Sequence, residues 1–267
     1  MGIFANPLTD LLEYEDFSRD FLKGTDPVGM TGCIDSEKVH FMSTFLGEKK
    51  VQLVVTYNEQ RAREIEEDYK LFCSQVYVIP PRDLIFFSAD LQGNAIIAER
   101  MKAFAALYQN EAKVIITTID ALMSAAVPFE QLMSHVIKLK EGDELDLEKL
   151  KHDLTVMGYE RVGRVEEPGQ FTVHGGIADV YPLTMEVPVR IELWGDEIDT
   201  IRCFEPQSQR SMDQIECVSV FPAAEVIADD TARRRAVGMI QNELESQLAV
   251  FKKAKEPDKA KRLREET

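Results

Sequence analysis

Three stretches of this 267-residue chain hold residue types that could do chemistry or binding. The first reads GMTGCIDS over residues 29–36. A phosphate loop reads G-x-x-x-x-G-K-[ST]: its glycines let backbone N–H groups wrap the phosphates, and its lysine meets the β and γ charge. Here Gly29 keeps the first glycine, Gly32 lies inside the loop, and Ser36 sits at the hydroxyl position. Ile34 stands in place of the second glycine and Asp35 in place of the lysine. A β-branched side chain hinders close backbone approach, and a carboxylate reverses the charge that a triphosphate needs. The stretch is expected not to bind ATP, and an ordinary strand-to-helix turn accounts for it. No later segment supplies an acidic Mg²⁺-binding strand or an arginine finger.

The second stretch, Val189–Trp194, could bind a protein. Val189, Ile191 and Leu193 alternate with Arg190, Glu192 and Trp194, so the latter three share one face of a strand. With the aliphatic face inward, an arginine, a carboxylate and the only tryptophan of the chain look outward together. Arg and Trp are enriched at interface hot spots. A solvated outer face with Trp194 folded over the sheet edge fits the same pattern. The third stretch gathers acids: Asp179, Asp196, Glu197 and Asp199. Solvated turn acids explain them better than an acid/base pair, since none has a histidine partner. Ser211 or Thr172 with His174 lacks the third group of a triad. Four widely spaced cysteines and four scattered histidines give no zinc pattern. The expectation is no catalytic residue, no metal and no cofactor.

These residues need elements to position them. Helical spacing marks residues 7–22, 36–45, 59–72, 94–108 and 119–126, while 51–56, 75–79 and 113–118 read as buried strands. Alternating strands and helices imply a parallel sheet covered on both faces. After Pro128 the pattern changes. A strand at 135–140 and a helix at 146–157, ended by Gly158, lead into short β-type runs at 161–165, 170–173, 177–181, 189–194, 200–204 and 216–221. Gly175-Gly176 marks a tight turn or close backbone approach. A long helix from Asp229 to Phe251 precedes a charged end that reads as a solvated tail. Arg82, Phe86 and Phe87 could stack bases, although packing under the sheet suits the two phenylalanines better.

Composition narrows the function classes. The chain is 45% hydrophobic, enough for one large or two smaller cores, and carries a formal net charge of −16. An acidic chain repels DNA phosphates, so protein partners are favoured over a duplex. No leader and no run of 18 apolar residues is visible, so a soluble cytoplasmic protein without membrane contact is expected.

The words PGQF (168–171), GGIADVYPLT (175–184), PVRIEL (188–193), DEIDTIR (196–202) and QSQRS (207–211) together resemble one family. It is the UvrB-homology module of bacterial transcription-repair coupling factors, shared in part with the excision-repair helicase UvrB. The likeness is strongest over residues 158–226 and collinear from the N-terminus onward.

The resemblance implies an α/β fold: a degenerate P-loop, helicase-like, doubly wound parallel sheet with an inserted, mostly antiparallel β (α+β) domain. The division it implies is 1–128, then the insert at 129–210, then a return to the α/β part at 211–267, the chain being a piece of a longer protein. It implies a non-catalytic adaptor that recruits UvrA, with weak or no DNA binding of its own. For the whole protein the resemblance implies polymerase-binding, translocase and C-terminal domains as further partners, the last able to mask the docking surface. The family's docking positions fall on His174, Arg190 and Trp194. Arg190 matches, Trp194 keeps the aromatic type, and His174 departs from an arginine, losing permanent charge and bidentate recognition. The competing implication is a UvrB-type ATP-dependent helicase or damage-verification fragment. Ile34, Asp35 and the short loop after Ile79, where UvrB carries a DNA-clamping hairpin, argue against it. An unrelated metabolic α/β enzyme would need a pocket of convergent acids or histidines, and the sequence offers none.

Overall fold

The computed structural model describes residues 8, 14–47, 51–82, 92–227 and 230–253. The segment holding Phe86 and Phe87, and the charged end after residue 253, lie outside the described residues. Helices α1 (Tyr14–Lys23) and α2 (Asp35–Ser43) meet through aromatic rings, Phe17 standing edge-on to Phe41 at 4.8 Å. Behind them lies a parallel sheet of β1 (Gln52–Thr56), β2 (Val76–Ile79) and β3 (Val114–Thr118), in the order β1-β3-β2. Parallel neighbours need crossovers, and α3 (Glu59–Lys70) and α4 (Gln92–Tyr108) provide them. Every residue of β3 is buried. Val114 and Ile116 pack with Ala62, Ile65 and Tyr69 of α3, whereas Ile115 packs with Ala103 and Ala106 of α4. Two covered faces explain why this strand is apolar throughout rather than alternating.

Two short helices follow, α5 (Ile119–Met123) and α6 (Phe129–Met133), then β4 (Ile137–Lys140) and α7 (Leu147–Val156). The Asp146 carboxylate starts α7 by accepting the N–H groups of Glu148 and Lys149 at 2.9 and 3.1 Å. A six-stranded sheet comes next: β5 (Glu160–Arg161), β6 (Gln170–His174), β7 (Ile177–Val180), β8 (Val189–Trp194), β9 (Glu197–Phe204) and β10 (Ser211–Gln214), neighbours in that order. Only the β5–β6 pair is parallel. β11 (Cys217–Val220) runs antiparallel to β4. One core joins these pieces, from Leu139 through Leu154, Phe171, Ile191 and Ile201 to Val220. Helix α8 (Asp230–Lys253) belongs to a separate unit of the chain.

Three differences from the sequence reading are instructive. The run at 161–165 pairs only at Glu160–Arg161, and Val165 instead packs with Tyr181 and Phe204 on the far side of the sheet. β10 reads SMDQ, an exposed edge strand with no apolar alternation to reveal it. Helix α6 is five residues long, too short to show a period.

The β module and the parallel sheet join along a seam. Gly158 has φ +91°, and a Cβ there would stand 2.6 Å from the Ala224 Cβ, so only glycine fits. The buried Tyr159 hydroxyl donates to the Phe221 carbonyl at 2.7 Å. Glu225 closes the seam by receiving both Arg82 and Arg100.

Candidate partner-binding face

The six-stranded sheet has a core face and an outer face, and register assigns each residue. Phe171, Val173, Ala178, Val180, Val189, Ile191 and Ile201 fall in the core. On the other side, Thr172, Asp179, Arg190 and Arg202 form one cross-strand row, and His174, Ile177, Glu192 and Thr200 the next. A bulge between Glu192 and Leu193 is absorbed by β9, where Ile198 and Thr200 are the paired residues, so the alternation of β8 runs on unbroken. Leu193 packs on the core and Trp194 stands on the outer side, 83% exposed. Trp194 lies four positions along the strand from Arg190, about 13 Å away. Gly195, with φ +67°, turns the chain into β9.

Arg190 is fixed. Its Nε and Nη2 donate to the two carboxylate oxygens of Asp179, each at 2.7 Å. Nη2 also reaches the Gln209 Oε1 at 3.4 Å, and the guanidinium lies 4.8 Å from the centre of the Phe204 ring. Gln209 is in turn held by the carbonyls of Val165 and Pro206. The side chain is only 21% exposed. Its hydrogen bonds to Asp179, then that carboxylate's charge, hold the guanidinium even above its ordinary high pKa. The sequence reading grouped Asp179 with solvated turn acids. It is a buried strand residue and the counter-ion of Arg190.

His174 ends β6 and is exposed, one residue before the Gly175-Gly176 turn. That turn is tight for a reason: the Leu193 N–H donates to the Gly176 carbonyl at 2.8 Å, and a Cβ on Gly176 would meet the Leu193 carbonyl at 3.3 Å. Register places His174 two strands from Glu192, about 10 Å away. The structure therefore gathers His174, Arg190 and Trp194 on one face without bringing them into contact. Ile177, 41% exposed between His174 and Glu192, adds apolar surface that the sequence reading did not name. Its signal was available, since Ile177 shares parity with Asp179. Arg202 was also passed over, and it is the cross-strand neighbour of Arg190.

The glycine-rich stretch differs from expectation. Residues 24–34 contain no strand, so Gly29 and Gly32 sit in a connection from α1 to α2 rather than in a strand-to-helix turn. Gly32 has φ +84°, and a Cβ on either glycine would meet nothing within 4 Å. Asp35 opens α2, with Ser36 after it. The Asp35 carboxylate accepts from the Lys38 Nζ at 3.1 Å and lies 3.6 Å from the Arg61 guanidinium. The Lys38 hydrogen bond first, then Arg61, hold its pKa below the usual range. The Glu37 carboxylate takes the Ile34 N–H at 3.0 Å. The dipole end that would attract a phosphate is thus already met by two acids of the chain.

Arg82 does not present itself for base stacking. Its Nε donates to Glu225 at 2.9 Å and its Nη1 to the Ala125 carbonyl at 2.9 Å. Among the described residues no group of three His, Cys, Asp or Glu could hold a metal ion, and no helix is long and apolar enough to cross a membrane.

The family described as "UvrB interaction domain" matches residues 137–225, a span that takes in every strand from β4 to β11. The transcription-repair-coupling factor of Staphylococcus haemolyticus (strain JCSC1435) is 33% identical over 231 residues, which is 85% of this chain and 19% of that protein. That of Staphylococcus epidermidis (strain ATCC 12228 / FDA PCI 1200) is 31% identical over 246 residues, 91% of this chain and 20% of the relative. That of Bacillus subtilis (strain 168) is 29% identical over 259 residues, 95% and 22%. The chain therefore spans about a fifth of the length of these relatives.

Proposed function

This chain carries the UvrB-homology module of the transcription-repair-coupling factors, and on that premise we propose that it is a non-catalytic adaptor of transcription-coupled nucleotide excision repair. Its outer β face recruits UvrA, while polymerase binding and translocation belong to other domains of the whole protein. The observation that carries this reading is Trp194. A tryptophan 83% exposed on an ordered strand, beside the apolar Ile177, is surface that folding alone does not explain. The acidic α2 terminus supports a module that leaves nucleotide chemistry elsewhere. Asp35 and Ser36 lie where a phosphate loop would bind, and the carboxylate repels what such a loop holds. With a net charge of −16, duplex DNA is not the partner of this part.

Titration calorimetry of the whole chain against purified UvrA tests the reading. Binding is expected, and Trp194→Ala should weaken it by about 2 kcal/mol, near thirtyfold. Wild-type affinity in that variant sinks the site, and no binding by the wild type sinks the adaptor reading. Arg190→Ala is a poorer first test, because it leaves the buried Asp179 without its counter-ion.

A further inference from the structure

We propose that the docking face has an anionic end, built by Trp194, Glu197 and Glu144, that receives a lysine or arginine side chain of the protein partner. The proposal rests on the reading of this face as a docking surface, and it extends that surface onto the segment before α7. Trp194 and Glu197 are register partners that close the β8–β9 hairpin across Gly195-Asp196. On its other side Glu197 forms an isolated antiparallel bridge with Glu144. The Leu145 N–H donates to the Asp196 carbonyl at 2.8 Å, and the Ile198 N–H to the Asp143 carbonyl at 2.9 Å. These bonds flank the bridge, so Glu144 and Glu197 are a non-hydrogen-bonded pair. Side chains stand closest in pairs of that kind, whose Cα atoms are about 4.5 Å apart. Directly opposite residues share one face of a sheet, so the tryptophan and the two glutamates form a single row. All three are exposed.

Folding gives no reason for that row, since like charges directly opposite one another are destabilising. Among the described residues neither glutamate forms an ion pair or a side-chain hydrogen bond. The cations of the face lie elsewhere. Arg190 is bound to Asp179, and Glu192 also helps to hold it charged. The Arg190–Arg202 row is about 13 Å along the sheet from Trp194. The half-buried Glu192 and the exposed Asp196 and Asp199 add further negative charge around Trp194. The face is thus cationic at one end and anionic at the other, and a complementary partner presents the reverse order. A cation between two carboxylates and beside an indole ring is attracted by all three. The described residues offer no group of three ligands for a metal ion, so the fitting occupant is a side-chain cation. A lysine or arginine also lays its apolar stem against Trp194.

Two measurements on the whole chain test this. In titrations against UvrA, the double variant Glu144→Gln, Glu197→Gln is expected to lower affinity by about fivefold or more. Urea unfolding of the same variant should show stability unchanged or raised, because the like charges are gone. Wild-type affinity in the double variant, with Trp194→Ala still weakened, overturns the proposal and leaves the adaptor reading in place. Affinity and stability lowered together overturn it as well, since the glutamates would then serve the fold. Independently of UvrA, N-acetylarginine amide titrated against sodium chloride at equal ionic strength should change the emission of Trp194, the only tryptophan, in the wild type and not in the double variant. No change in the wild type, or an equal change in both, overturns the proposal. A wild-type chain silent toward UvrA, whose Trp194 answers the arginine probe only through the two glutamates, would end the adaptor reading while the cation site stands.

Discussion

Two arginine pairs in this molecule each have a carboxylate in line with them, and they end differently. Arg82 and Arg100 converge on Glu225, where their side chains are 23%, 4% and 7% exposed. Their remaining donors find the carbonyls of Ala125 and Pro80. Arg190 and Arg202 stand in one row with Asp179, and among the described residues the Arg202 side chain donates to no acceptor. The backbone makes the difference. Arg82 and Glu225 lie in connections and Arg100 reaches out of α4, and the carbonyls that the arginines meet, of Ala125 and Pro80, belong to connections and are not consumed by a ladder. The second pair lies mid-sheet between paired strands, whose carbonyls already face neighbouring N–H groups. A closed cluster can hold a fold together, whereas an open one adds little to it.

The comparison breaks first at the closed pair. Glu225→Ala leaves two guanidinium groups without a counter-charge, one of them almost fully buried. Removing one member of a buried ion pair costs about 3–5 kcal/mol, and the lower end applies because Arg82 reaches solvent. Urea unfolding of the whole chain should show a loss of about 3 kcal/mol. A loss under about 1 kcal/mol would mean that the arginines simply swing into water, and that the seam is held by Tyr159 and apolar packing instead.

The open pair, removed at its carboxylate, should cost less. Asp179→Asn keeps the shape and takes away the charge beneath Arg190. Since Arg190 is partly exposed, water screens much of the change, and about 1–2 kcal/mol is expected in the same unfolding experiment. A cost equal to that of Glu225→Ala would erase the distinction between the two clusters.

Much of this was legible in the residues, and the limits were physical. The parallel strands declared themselves because a sheet covered on both sides writes continuous apolar runs, as in VIITT of β3. The face of β8 was legible from its alternation, and the bulge that could have broken it fell on β9. The partners of that face were not. Asp179 and Arg190 are eleven residues apart, and nothing in either strand alone states the register that joins them. Glu225 reaches Arg82 across 143 positions, a pairing that only the return of the chain creates. The glycine stretch misled in one respect, since a loop motif implies a preceding strand and the residues before Gly29 form a helix and a coil.

The smallest effect on stability is the sharpest test of the comparison. Arg202→Gln removes a charge that no carboxylate among the described residues pairs with, and a buried N–H that no acceptor among them receives. The folded state loses little by it, because the guanidinium contributes no internal hydrogen bond. It even sheds a desolvation cost, which offsets the packing lost with the shorter side chain. Urea unfolding should place the variant within about 0.5 kcal/mol of the wild type, as for an ordinary surface position. A loss of about 2 kcal/mol would show that Arg202 is satisfied within the fold, and the two clusters would then be of one kind.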